Sequence, residues 1–149
     1  MNYVQRVQPR MINAVWEHVR PQLYEAIPPM NSKADDNYAH ILAALLQEKA
    51  QLWIVYNAES ESKIKVHAFV VTIIRSDPLT NDRYLHLYAM YAYHTLVPSD
   101  WDRLQDCIEE YARGNECIEL TAFTSHPVVK RRCVERGGLV DTTFLHKRL

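Results

Sequence analysis

Three runs of β-branched and aromatic residues follow one another through the middle of this chain, and they leave few folds open to it. Gln51 to Tyr56 (QLWIVY), Lys63 to Ile74 (KIKVHAFVVTII) and Arg83 to Tyr93 (RYLHLYAMYAY) have the length and composition of strands. The polar segment Ala58-Glu59-Ser60-Glu61-Ser62 between the first two fits a hairpin. The turn cluster Ser76 to Asp82 (SDPLTND) extends it to a three-stranded meander. All three runs are nearly continuous in apolar residues, as expected of strands covered on both faces.

Helical spacing flanks this meander on both sides. Tyr3 to Val7 reads as a short first strand, after which Met11, Ile12, Val15, Trp16, Val19 and Leu23 recur with the period of a helix. Pro21 interrupts that helix, because proline lacks the amide hydrogen a helix interior needs, and Pro28-Pro29 ends it. Ser32, three residues before Asp35, makes a weak capping pair ahead of the stripe Tyr38, Ile41, Leu42 and Leu45. Beyond the meander, Ser99 and Asp102 form a second capping pair before Trp101, Leu104, Cys107, Ile108, Tyr111 and Ala112, and Gly114 ends that helix. Cys117 to Phe123 reads as a strand, Pro127 opens a last helix that Gly137-Gly138 closes, and Leu139 to Leu149 returns as a final strand. The order β-α-α-β-β-β-α-β-α-β describes an α/β (α+β) domain, a mixed sheet of six to seven strands with helices on both faces.

With 149 residues, 48% of them hydrophobic, the chain suffices for one core, and with only three glycines it has no flexible linker, so residues 1–149 are expected to form one domain. Seventeen basic against eighteen acidic side chains give a net charge of −1, which argues against coating nucleic acid or a membrane through the overall field. No run of about 18 apolar residues spans a membrane. Met1-Asn2-Tyr3-Val4 lacks the basic-then-apolar layout of a signal peptide. Cys107, Cys117 and Cys133 lack CxxC spacing and fall in apolar stretches, as reduced core thiols do. Seven histidines show no HxxxH pair, so no metal is expected.

The ordered set resembles the GCN5-related N-acetyltransferase superfamily along essentially the whole chain. The residues carrying the likeness are Leu104 to Arg113 (LQDCIEEYAR), the apolar strand Cys117 to Phe123 at the right distance after it, and the turn Glu135-Arg136-Gly137-Gly138-Leu139, similar to the family's E-(K/R)-x-G-F. The resemblance implies a Gln/Arg-x-x-Gly-x-Gly/Ala loop whose backbone amides, at a helix N-terminus, hold the diphosphate of acetyl-CoA. Here Leu96, Val97, Pro98, Ser99, Asp100 and Trp101 stand in its place, without a glycine. Pro98 offers no amide hydrogen, Val97 disfavours the positive φ of such a loop, and Trp101 fills space. An Asp100 carboxylate ~5 Å from a phosphate, at an effective dielectric near ~20, repels it by about 3 kcal/mol. The family's tyrosine acid, four residues before the second glycine, falls on Val134, and the strand Arg83 to Tyr93 has no carboxylate for a base.

Two functions follow from that departure. The first is a non-catalytic protein of this fold that binds other protein subunits and needs no cofactor. Ser125-His126-Pro127 ahead of a helix, the short length and the lost glycines are similar in style to the acetyltransferase-like morphogenesis and internal virion proteins of T7-like and related tailed phages, implying a virion or the host cytoplasm. On this reading the basic cluster Lys130, Arg131, Arg132 and Arg136 meets an acidic protein surface, or else it is a solvated helix face. Nucleic acid is a third, weaker partner for the same cluster. The second function is a divergent acetyl-CoA-dependent N-acetyltransferase. There His86 or a water serves as base, His94 or Tyr88 as acid, and the backbone of Met90, Tyr91, Ala92 and Tyr93 holds the pantetheine arm, as the resemblance implies. Strand alternation puts His86, Tyr88 and Met90 on one face with Tyr84 and His94.

Overall fold

A computed structural model describes residues 1–27, 35–60, 63–140, 145 and 147. Five strands lie side by side in chain order: β1 (Tyr3–Arg6), β2 (Gln51–Ser60), β3 (Lys63–Ser76), β4 (Arg83–Ala92) and β5 (Glu119–Ala122). The meander is present as expected, with β1, β2, β3 and β4 each antiparallel to the next, and β5 joins parallel to β4 after a helical crossover. The sheet is mixed, but among the described residues it has five strands where the sequence suggests six or seven. The difference lies at the expected last strand. Leu139 and Val140 are not in a strand, because the turn at Gly137-Gly138 folds the chain back until the Leu139 carbonyl meets the Cys133 thiol. Residues 141–144, 146, 148 and 149 lie outside the described residues.

The helices are α1 (Ile12–Val19), α2 (Leu23–Ala26), α3 (Asp35–Leu46), α4 (Pro98–Gly114) and α5 (Pro127–Glu135). Pro21 does interrupt the first helical stretch, sitting in a single 3-10 turn (Arg20–Gln22) between α1 and α2. The Pro28-Pro29 stop and the Ser32 cap fall outside the described residues. At α4 the cap differs from expectation. Val97, extended and without a side-chain bond, is the N-cap, Pro98 takes the first helical position, and Ser99 lies inside the first turn. Proline's fixed φ and missing amide suit that first position better than a serine hydroxyl suits a cap one residue later.

Side chains from the two faces of the sheet sort into two apolar layers with the period of two that strands impose. Leu52 and Ile54 of β2 and Phe69 and Val71 of β3 pack with Ile12, Val19, Leu23 and Leu45 from α1–α3. Trp53 and Val55, Val70 of β3 and Leu85 of β4 pack with Leu104, Ile108 and Ala112, one stripe of α4. Helices on both faces are therefore confirmed. On the α4 side the Trp53 indole donates to the Thr72 hydroxyl at 3.0 Å, which in turn donates to the Gln51 amide oxygen at 2.9 Å, so this buried polar chain is closed.

Leu85 has no exposed surface and meets the α4 layer directly. Replacing Leu85 with Ala removes apolar contacts and leaves a cavity, so urea unfolding of Leu85→Ala is expected to show a loss of about 3 kcal/mol. Leu79→Ala, in the exposed β3–β4 turn, is expected to change stability by less than about 0.5 kcal/mol in the same experiment.

Candidate functional site

β4 carries most of the residues that sequence reasoning singles out, and a bulge rearranges them. Leu87 pairs with Thr72 and Ala89 with Val71, so Tyr88 is one residue too many for β3 and the side-chain alternation resets there. His86 lies between Leu85 and Leu87, which both face α4, and so points to the α1–α3 side. Past the bulge, Tyr88, Ala89, Tyr91 and Tyr93 all pack on the α1–α3 layer, while Met90 and Ala92 turn to the α4 layer. The expected single row of Tyr84, His86, Tyr88, Met90 and His94 therefore does not exist. Met90 leaves it, and Tyr91 and Tyr93 take its place.

β5 is short. It pairs with β4 only from Tyr84 to Leu87, and above Ala122 the two strands part. The Tyr93 amide donates to the His67 carbonyl of β3 at 2.9 Å. By alternation the amides and carbonyls of Met90 and Ala92 point the other way, toward the space above β5, where no described residue partners them. Of the four residues expected to hold a pantetheine arm, Met90 and Ala92 present their backbone to this cleft, and Tyr91 and Tyr93 present theirs to β3.

His86 is 3% exposed, its Nδ1 lies 2.8 Å from the Thr121 hydroxyl of β5, and its ring packs edge-on against Phe123. Burial, and secondarily the nearby Arg75, push its pKa down to about 4. The imidazole is neutral at pH 7, enclosed, and tied across the β4–β5 junction. It does not open onto the cleft as the base of the sequence reading would.

At the head of the cleft stands the entry to α4. Pro98 has no amide hydrogen, and the amides of Asp100 and Trp101 both donate to the Val97 carbonyl, at 3.0 and 3.3 Å. In this first turn only the Ser99 amide has no described partner. Asp100 behaves differently from the sequence expectation: it is 2% exposed and turned inward, where the Asn2 amide donates to it at 2.7 Å and the Arg103 guanidinium pairs with it at 2.5 Å. Its charge is answered inside the protein. The repulsion expected of a phosphate is correspondingly smaller, but the inward anion also occupies the helix end that would attract one. Trp101 is half-buried against the α4 layer.

Beside this turn the rings of His67 and His94 touch. His67 is buried and His94 is exposed, with His67 Nδ1 against His94 Nε2 and the ring planes nearly perpendicular. Sequence reasoning names His94 but misses His67, whose one signal is a polar residue inside the run KIKVHAFVVTII. Among the described residues no three His, Cys, Asp or Glu side chains gather as a metal site. The three cysteines are free and half-buried, and burial raises the Cys107 thiol.

The basic cluster on α5 is not an open positive surface. Arg136 reaches Asp102, Asp106 and Glu109 of α4, Arg132 reaches Asp102 and Glu135, and Arg131 pairs with Glu135. Only Lys130 has no described ion pair. Arg132 and Arg136 tie the end of α5 to α4, and α5 itself has no fully buried residue.

Three solved structures show what this architecture is similar to. A predicted acetyltransferase from Clostridium acetobutylicum, determined with acetyl-CoA, superposes with a TM-score of 0.72 at 14% identity, covering 99% of this chain and 96% of that one. The structure of AAC(6')-Iy in complex with the bisubstrate analog CoA-S-monomethyl-acetylneamine gives 0.70 at 15% identity, over 100% and 98% of the two chains. Ribosomal-protein-alanine N-acetyltransferase from Brucella melitensis gives 0.66 at 16%, over 100% and 99%. The chain has the GCN5-related N-acetyltransferase fold. The sequence matches no family model and no curated protein. Against this fold the residues fit half of the cofactor it implies. The Met90 and Ala92 edge suits the amides of a pantetheine arm, whereas the α4 entry does not suit a diphosphate. The position of the fold's tyrosine acid holds Val134, an exposed aliphatic on α5.

Two outcomes test these assignments. His86 is depressed in the folded state, so between about pH 6.5 and 4 the unfolded chain binds a proton that the folded one refuses. Its contribution, on the order of 3 kcal/mol, is complete above pH 6.5 and is lost as the pH falls toward 4. Urea unfolding at pH 7 and pH 5 is expected to show that decline in the native protein and a shallower one in His86→Asn. Arg136→Ala is expected to cost about 1 kcal/mol at low salt and less at 1 M NaCl, as melting curves at the two ionic strengths would record.

Proposed function

We propose that this protein keeps the acetyltransferase fold but works without coenzyme A, as a domain that binds another protein. One observation carries the reading: the entry to α4, where the fold seats a diphosphate, is headed by Val97-Pro98, has one unpartnered amide in its first turn, and holds its own buried carboxylate, Asp100. The missing acid at Val134 and the enclosed, neutral His86 support it from the chemical side. Ile118 and Phe123, flanking β5, and Val134 on α5 expose apolar side chains that a protein partner would cover. Arg132 and Arg136 are engaged with α4, which leaves Lys130, and Arg131 with its ion pair to Glu135, as the basic residues a partner would meet. The lost glycines and Ser125-His126-Pro127 support placing that partnership in a tailed-phage particle or its assembly.

A divergent acetyl-CoA-dependent N-acetyltransferase is the second reading, favoured by the open backbone of Met90 and Ala92. On that reading His94 or Tyr88 donates the proton, and coenzyme A binds by its pantetheine arm. Calorimetric titration separates the two. Acetyl-CoA at millimolar concentration is expected to give no saturable heat; one-to-one binding in the micromolar range, abolished by Ala92→Pro, would overturn the proposal and establish the second reading.

A further inference from the structure

The link from β4 to α4, residues 93–97, runs past both the open edge of β4 and the entry to α4. The Tyr93 ring packs on Phe69 of β3, its hydroxyl donates to the His18 carbonyl, and Leu96 is buried in the α4 layer, but the described polar ties of the link to β3 are all made by one residue. His67 is the extra residue of a second bulge, between the pairs Tyr56↔Val66 and Val55↔Ala68. Its carbonyl accepts from the Tyr93 amide at 2.9 Å and its Nδ1 faces Nε2 of His94, so a single bulged position holds two successive residues of the link by backbone and by ring. His67 Nε2 is buried without a described partner, leaving the ring no alternative bond to turn to.

Two imidazoles in that contact share one hydrogen. When both are neutral, the N–H of one faces the lone pair of the other. When one proton is added, the ring that carries it donates its N–H to the lone pair of the other. A second proton leaves N–H facing N–H, with two positive rings in contact, and the bond is gone. We propose that the His67–His94 pair is a proton-sensitive latch that holds the β4–α4 link closed at neutral pH and releases it when both rings are charged. Burial, the His94 ring and Lys65 of the same strand all disfavour charge on His67, and Asp100 of α4 favours it. Asp100 is shared with Arg103 and Asn2, so its pull on His67 is divided. Release therefore belongs below the ordinary histidine range. The released link widens the mouth of the cleft beside Met90 and Ala92, whichever ligand or partner the cleft takes.

Amide hydrogen exchange tests this on the full chain at pH 7.5 and pH 5.0, with each rate divided by the intrinsic rate at that pH. The Tyr93 amide is expected to lose protection at least tenfold at pH 5.0, while the amides of Val55 and Leu85 in the sheet core change much less. His94→Gln keeps a hydrogen-bonding group near His67 but does not titrate, and it is expected to remove the pH response while leaving the melting temperature at pH 7.5 unchanged. Equal protection of Tyr93 at both pH values, a loss shared equally with Val55 and Leu85, or a response that persists in His94→Gln would each overturn the latch.

Discussion

β3 stands between β2 and β4 and is paired along most of its length on both edges, while its two faces carry the two apolar layers. Everything else in the molecule is arranged by that one strand. Because its side chains alternate, Phe69 and Val71 commit α1–α3 to one face, and Val70 commits α4 to the other. Because its edges are both used, any irregularity in its pairing is passed to a neighbour. The bulge at His67 is absorbed against β2, and a second at Tyr88 is absorbed by β4. With a further register shift between Ala58 and Ser60, these irregularities are where the sheet departs from a plain meander.

The cleft follows from the same strain. β4 follows β3 to its end, while β5 follows β4 for only four residues, so the two strands separate at the level of the Tyr88 bulge. In this fold that separation makes room for a cofactor arm. Here the backbone edge of Met90 and Ala92 is open, and the entry to α4 is built around Pro98 and the buried Asp100. A shared fold does not by itself carry a shared ligand.

Much of the fold is legible in the sequence because it rests on short-range patterns. The strand runs at 51–56, 63–74 and 83–93, the break at Pro21, and the α4 stripe of Leu104, Ile108 and Ala112 are each set by residues within a few positions of one another. The site was less legible, for equally physical reasons. A bulge has no composition of its own, so simple alternation placed Met90 beside His86. The meeting of His67 with His94 spans 27 residues, and that of Asn2 with Asp100 spans 98, distances at which a single sequence says nothing about neighbours. The arginines of α5 looked like a cationic patch because the acids that answer them, Asp102 and Asp106, lie on another helix.

Asp100 also bears on what this chain can become. In a loop that had merely lost its glycines, restoring two small residues would restore the anion seat. Here the turn is filled from within, by a carboxylate bound to Arg103 and to Asn2, just ahead of β1. Emptying it strands a guanidinium and an amide, so a substitution at Asp100 is felt at Arg103 beside it and at Asn2, 98 residues away in the chain.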